Sequence, residues 1–120
     1  MTAAVALGVL GAPGLAQAAP AGTVDAGVPL SSVVYGTGCV YTLRVPVNSS
    51  GTVTFWEKRQ GSPEHLIGSD VPDGAAATLE WWPRTIGDRL VYAKQNGVVG
   101  PSTVLRVRQG YGSGGMCFAV

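Results

Sequence analysis

The run Gly51-Thr-Val-Thr-Phe-Trp56, with Leu66-Ile-Gly-Ser69, Ala77-Thr-Leu-Glu-Trp-Trp-Pro83, Gly87-Asp-Arg-Leu-Val-Tyr-Ala93 and Ser102-Thr-Val-Leu-Arg-Val107 after it, decides the fold. These are five short stretches rich in β-branched and aromatic residues. Gly, Pro, Asp and Ser separate them at intervals of roughly ten residues, the rhythm of an antiparallel β-sandwich. No segment of ten or more residues shows helical periodicity. Such a fold is a scaffold, and none of these runs carries a group suited to covalent chemistry.

Working outward, Val33-Val34-Tyr35 reads as a first strand, ended by Gly36-Thr-Gly38. A second runs from Cys39 to Val47, with Cys39, Tyr41, Leu43, Val45 and Val47 on one face, a period-two pattern that turns the apolar face inward. Thr52–Lys58 follows with Val53 and Phe55 inward, and then Leu66–Asp70. Ala76–Trp82 places Ala77, Leu79 and Trp81 on one face, and Pro83 stops it because proline cannot donate to a ladder. Of Trp81 and Trp82, one fills the core at the end of this strand and the other stands partly exposed near the pole that carries Pro83. Asp88–Gln95 turns Val91 and Ala93 inward, Asn96-Gly97 is a hairpin dipeptide at the start of a loop reaching Pro101, and Thr103–Arg108 turns Leu105 and Val107 inward. The expected fold class is therefore all-β, with about seven strands.

The ends carry other information. Residues 1–19 hold no charge; Val5–Leu10 is apolar, and Ala16-Gln17-Ala18 fits the small-x-small pattern of a signal-peptidase site. The division expected is a signal peptide over 1–18, an N-terminal segment over 19–32, the β-domain over 33–108 and a Gly-rich tail over 109–120 carrying Cys117. No Lys or Arg precedes the apolar run, as a start placed too far downstream would explain. Pro13 and several glycines break that run, so no membrane span is expected to remain after cleavage. The expected location is extracellular or on the cell envelope.

The mature domain of about 100 residues is long enough to bury one modest core. Eight basic and seven acidic side chains nearly cancel, so neither nucleic acid nor another polyanion is signalled as a partner. The even cysteine count of an exported chain reads as a disulfide between Cys39 and Cys117, against two free buried thiols or a redox-active pair. No metal site and no cofactor are expected. His65 is the only histidine and sits in a turn-like Pro63-Glu-His65, without a nucleophile motif around it. The acids fall at turns or at outward strand positions, where solvated charges belong, so the chain is read as a non-enzyme. The glycines of 110–115 precede no helix and form no phosphate cradle; they read as a flexible tail.

Gly51-Thr-Val-Thr-Phe, Ile67-Gly, Gly74-x-Ala76-x-Thr78-Leu, Trp82-Pro83 (or Trp81, one place earlier), Gly87 and Val91-x-Ala93 resemble the bacterial immunoglobulin-like domains of secreted and cell-surface proteins. The likeness covers about Val33 to Val107 and implies a single immunoglobulin-like sandwich. Two features depart from the family pattern. Trp81-Trp82 abuts Pro83 directly, and the family's repeats usually lack cysteine. Alternating strand direction puts the start of the second strand and the end of the last at one pole, so a Cys39–Cys117 bond would tether the tail rather than cross the core.

In the same register Trp56, Leu90, Tyr92, Val104, Arg106 and Arg108 face outward from neighbouring strands of one sheet. Aromatic and Arg side chains on a flat sheet are the ingredients of a binding patch for a protein or glycan partner. The function expected is a secreted, non-enzymatic binding or structural module. The alternative is a small-molecule carrier or an enzyme inhibitor on the same scaffold.

Overall fold

The computed structural model describes residues 20–27, 34–112 and 117–119. The expected signal peptide lies outside them. The chain is all-β, with strands β1 (Tyr35–Gly36), β2 (Tyr41–Pro46), β3 (Val53–Lys58), β4 (His65–Asp70), β5 (Ala76–Trp81), β6 (Gly87–Gln95), β7 (Val98–Val99), β8 (Thr103–Arg108), β9 (Gly110–Tyr111) and β10 (Phe118–Ala119). The larger sheet has the order β1-β8-β6-β3-β4, with β7 paired to β6; β2 pairs with β5 in a second sheet, and β9 with β10 in a third.

Alternation built this arrangement. Leu43 and Val45 of β2, Ala77 and Trp81 of β5, Val53 and Phe55 of β3, Val91 and Ala93 of β6, and Leu105 and Val107 of β8 all belong to one buried cluster. Each is the residue whose pleat position turned it inward, and the two main sheets share the core they make. Trp81 is the tryptophan that fills it, at 2% exposure, whereas Trp82 is 54% exposed. Trp81 packs within 5.8 Å of Tyr41 and 5.7 Å of Tyr35, ring centre to ring centre, and closes one end of the core.

The first strand differs from expectation. It is Tyr35–Gly36, and it runs parallel to β8, with Tyr35 opposite Val107. Residues 20–27, expected as a plain N-terminal segment, bridge to Arg44 of β2 through Asp25 and to Val47, just past its end, through Pro20, and they bury Val24 and Ala26 in the core. Apolar residues at every second position explain that docking: Val24 and Ala26 point in while Asp25 points out.

The β6–β7 turn agrees with its dipeptide. Asn96 and Gly97 have φ of 53° and 78°, the positive values a two-residue hairpin requires, and Gln95 pairs with Val98 directly beyond them, so β7 stands where a loop reaching Pro101 was expected. Gln95, 1% exposed, donates to the carbonyls of Ser49 and Gly51 and clamps the neighbouring turn to β6.

Cys39 and Cys117 are bonded, with Cα atoms 5.6 Å apart. The tail is not the flexible segment expected over its described part. Gly110 and Tyr111 pair with Ala119 and Phe118, and Ala119 is 2% exposed. Glycine makes this possible at Gly110, because a Cβ there would drive into the Thr37 carbonyl.

Candidate functional site

The six residues expected to form a patch do share the outer face of β3, β6 and β8. Trp56 stands opposite Tyr92, and Leu90 opposite Val104, while Arg106 faces Asp88. Their accessibility divides the face in two.

The aromatic half is closed. Tyr92 lies on the outer face but is only 8% exposed, because a polar lid covers it. Its hydroxyl donates to Glu64, and the Lys94 ammonium pairs with the same carboxylate at 2.7 Å while sitting 4.2 Å from the centre of the Trp56 ring. The Trp56 indole N–H is also engaged, donating to Thr54 Oγ1 at 2.8 Å. Bonds from Lys94 and then Tyr92 hold the Glu64 carboxyl below its ordinary value. Burial first, and the Glu64 bond second, push the Tyr92 phenol up to about 12.

The aliphatic half is open. Leu90 and Val104 are 39% and 58% exposed, and they sit in a shallow depression of about 330 Å³ that also takes in Lys58 and Arg59. Arg106 is exposed beside them, and Arg108 reaches Asp88 at 3.4 Å across partly solvated side chains. Sequence reading overestimated the aromatic part of the face because Glu64, eight residues away along β3–β4, folds back over it.

A second concavity was not anticipated. Between the start of β4 and the end of β5 a groove of about 510 Å³ is lined by Glu57, His65, Glu80, Trp82, Arg84 and Arg89, among others. Glu57 corrects the expectation that every acid points outward. It continues the inward series Val53, Phe55, and its carboxylate meets Arg89 at 3.0 Å with side-chain exposures of 19% and 2%. Arg89 precedes Val91 and Ala93 in the inward series of β6 and also donates to the carbonyls of Thr85 and Gly87. The signal was present in both strands as a charged residue at an inward pleat position. Arg84 stacks on Trp82, its guanidinium carbon 4.7 Å from the ring centre. His65 opens β4 and is exposed.

Among the described residues no group of three His, Cys, Asp or Glu side chains is placed to hold a metal ion. No helix among them is long and apolar enough to cross a membrane. No protein-family model matches the chain, and no curated protein sequence matches it.

Proposed function

We propose that the chain is an exported immunoglobulin-like β-sandwich that acts as a non-enzymatic binding or structural module at the cell envelope or outside the cell. Leu90 and Val104 carry the reading. They are cross-strand partners, both substantially exposed, and cationic side chains of Lys58 and Arg106 flank them on a rigid sheet. An apolar centre with Arg at its border suits a protein partner that carries acidic groups around an apolar contact.

The compartment is supported by the disulfide, which persists in oxidising surroundings, and by the composition of residues 1–18. The fold name is supported by β8, β6, β3 and β4 facing β2 and β5 across one core. The groove beside Trp82 favours a second reading, a carrier of small ligands.

The first reading is tested by placing a photo-crosslinking residue at position 90 and, as control, at Thr42, exposed on β2. A discrete adduct from position 90 in envelope or culture-filtrate fractions, lost in Val104→Asp, is the expected result. Equal labelling from both positions overturns it. Intact mass tests export separately: a chain beginning at Ala19 without alkylatable thiols is expected, and an uncleaved chain with two free thiols refutes it.

A further inference from the structure

The β4/β5 side of the molecule is closed at one end and open at the other. At the closed end the Thr78 N–H donates to Asp70 Oδ2 at 2.9 Å, joining the two strands. Gly68 is so near Leu79 that an added Cβ would stand 2.9 Å from its Cδ2. Toward Trp81 and His65 the strands part, and the groove of about 510 Å³ occupies the gap. That volume falls within the range of about 300–1,000 Å³ usual for small-ligand sites.

The groove offers three kinds of surface. The Glu57–Arg89 pair is charge-compensated and locked by the carbonyls that Arg89 bonds. Trp82 presents an exposed indole, an apolar plane on the wall. Arg84 is held against that plane and makes no ion pair among the described residues, so its fork of donors is ordered without a carboxylate to receive. Arg59, Arg84 and Arg89 face Glu57 and Glu80, and this balance favours a ligand with a negative charge.

A purely apolar ligand would strand these charges, and a bare anion would make no use of the indole. A ligand with both a flat C–H face and a carboxylate satisfies the two together. We propose that this groove binds an acidic sugar, whose pyranose ring packs on Trp82 and whose carboxylate pairs with Arg84. Glu80 and His65, on the adjoining walls, are placed to meet ring hydroxyls. The inference rests on the small-ligand reading and is independent of docking through Leu90 and Val104.

Trigalacturonic acid and its methyl ester, which keep the same rings and hydroxyls but differ at each carboxyl by the charge and one methyl group, are the probes. Each is titrated into the intact, disulfide-bonded protein while backbone amide and indole N–H resonances are followed by NMR. Saturable shifts centred on Trp82 and Arg84 are expected, with the ester binding about tenfold more weakly than the acid because a charge-assisted pair is lost. Arg84→Gln should weaken the acid to the level of the ester and leave the ester unchanged. Trp82→Ala should weaken both, and Val104→Asp neither. Amide spectra of each variant report its fold, and Arg84→Gln carries the test if Trp82→Ala unfolds. Absence of saturable shifts, shifts centred elsewhere, or equal binding of acid and ester overturns the proposal.

Discussion

Glu57 and Arg89 form an ion pair of 3.0 Å between β3 and β6, where the shared core ends and the groove begins. Both occupy inward pleat positions, so neither can leave the pair without standing uncompensated beside Phe55 and Val91. Such pairs stabilise little as units but are costly to break. Glu57→Ala is expected to destabilise the domain by about 2–4 kcal/mol, somewhat reduced because Glu57 keeps some solvent contact. The double replacement Glu57→Leu with Arg89→Met should recover at least half of that loss. Urea unfolding of the single and double variants checks this; an equal or greater loss in the double variant contradicts it.

The Cys39–Cys117 bond closes a loop of 78 residues. In the chain-entropy view that constraint is worth about 4.5 kcal/mol, acting on the unfolded chain. Replacing both cysteines by alanine should lower stability by up to that amount. It should also free β10 from β9, so faster hydrogen exchange is expected at Tyr111 and Ala119 than in β3 or β6. Exchange measured residue by residue on the double variant is the check.

Gly110→Ala is a more local probe of the same tether. The new Cβ meets the Thr37 carbonyl, a backbone atom that a rotamer change cannot move aside. A loss of about 1–3 kcal/mol is expected, the usual consequence of overpacking. Gly61→Ala, where an added Cβ meets nothing within 4 Å but φ is +78°, controls for backbone strain alone. Thermal melts of the two variants separate the causes.

Two groups of the polar lid set opposite pH limits. The Tyr92 phenol is raised from its ordinary 10.0 to about 12, so folding favours its protonated form. Its contribution is complete below pH 10 and is lost as pH rises toward 12. The Glu64 carboxyl is lowered, so its contribution is present above its ordinary value of 4.5 and is lost as pH falls through the folded value. Tyr92→Phe should flatten the alkaline fall in unfolding midpoint, and Glu64→Gln the acid fall. Guanidinium midpoints measured from pH 3 to pH 11 test both.

What the sequence determined by itself was local. Period-two alternation named the inward residues of β2, β3, β5, β6 and β8, because a pleat sends successive side chains to opposite faces whatever the strand packs against. Asn96-Gly97 determined its turn, since few other dipeptides accept two positive φ values. The cysteine pairing followed from there being only two to pair. The tertiary structure decided everything that depends on distant segments meeting. Trp81 shares a pleat face with Ala77 and Leu79, but what it packs against, the rings of Tyr35 and Tyr41, was decided by distant segments meeting. Tyr92 looked exposed until Glu64 and Lys94 closed over it. The groove exists because β4 and β5 converge at Asp70 and Thr78 and part toward Trp82, a separation between two edges that no single run of residues encodes.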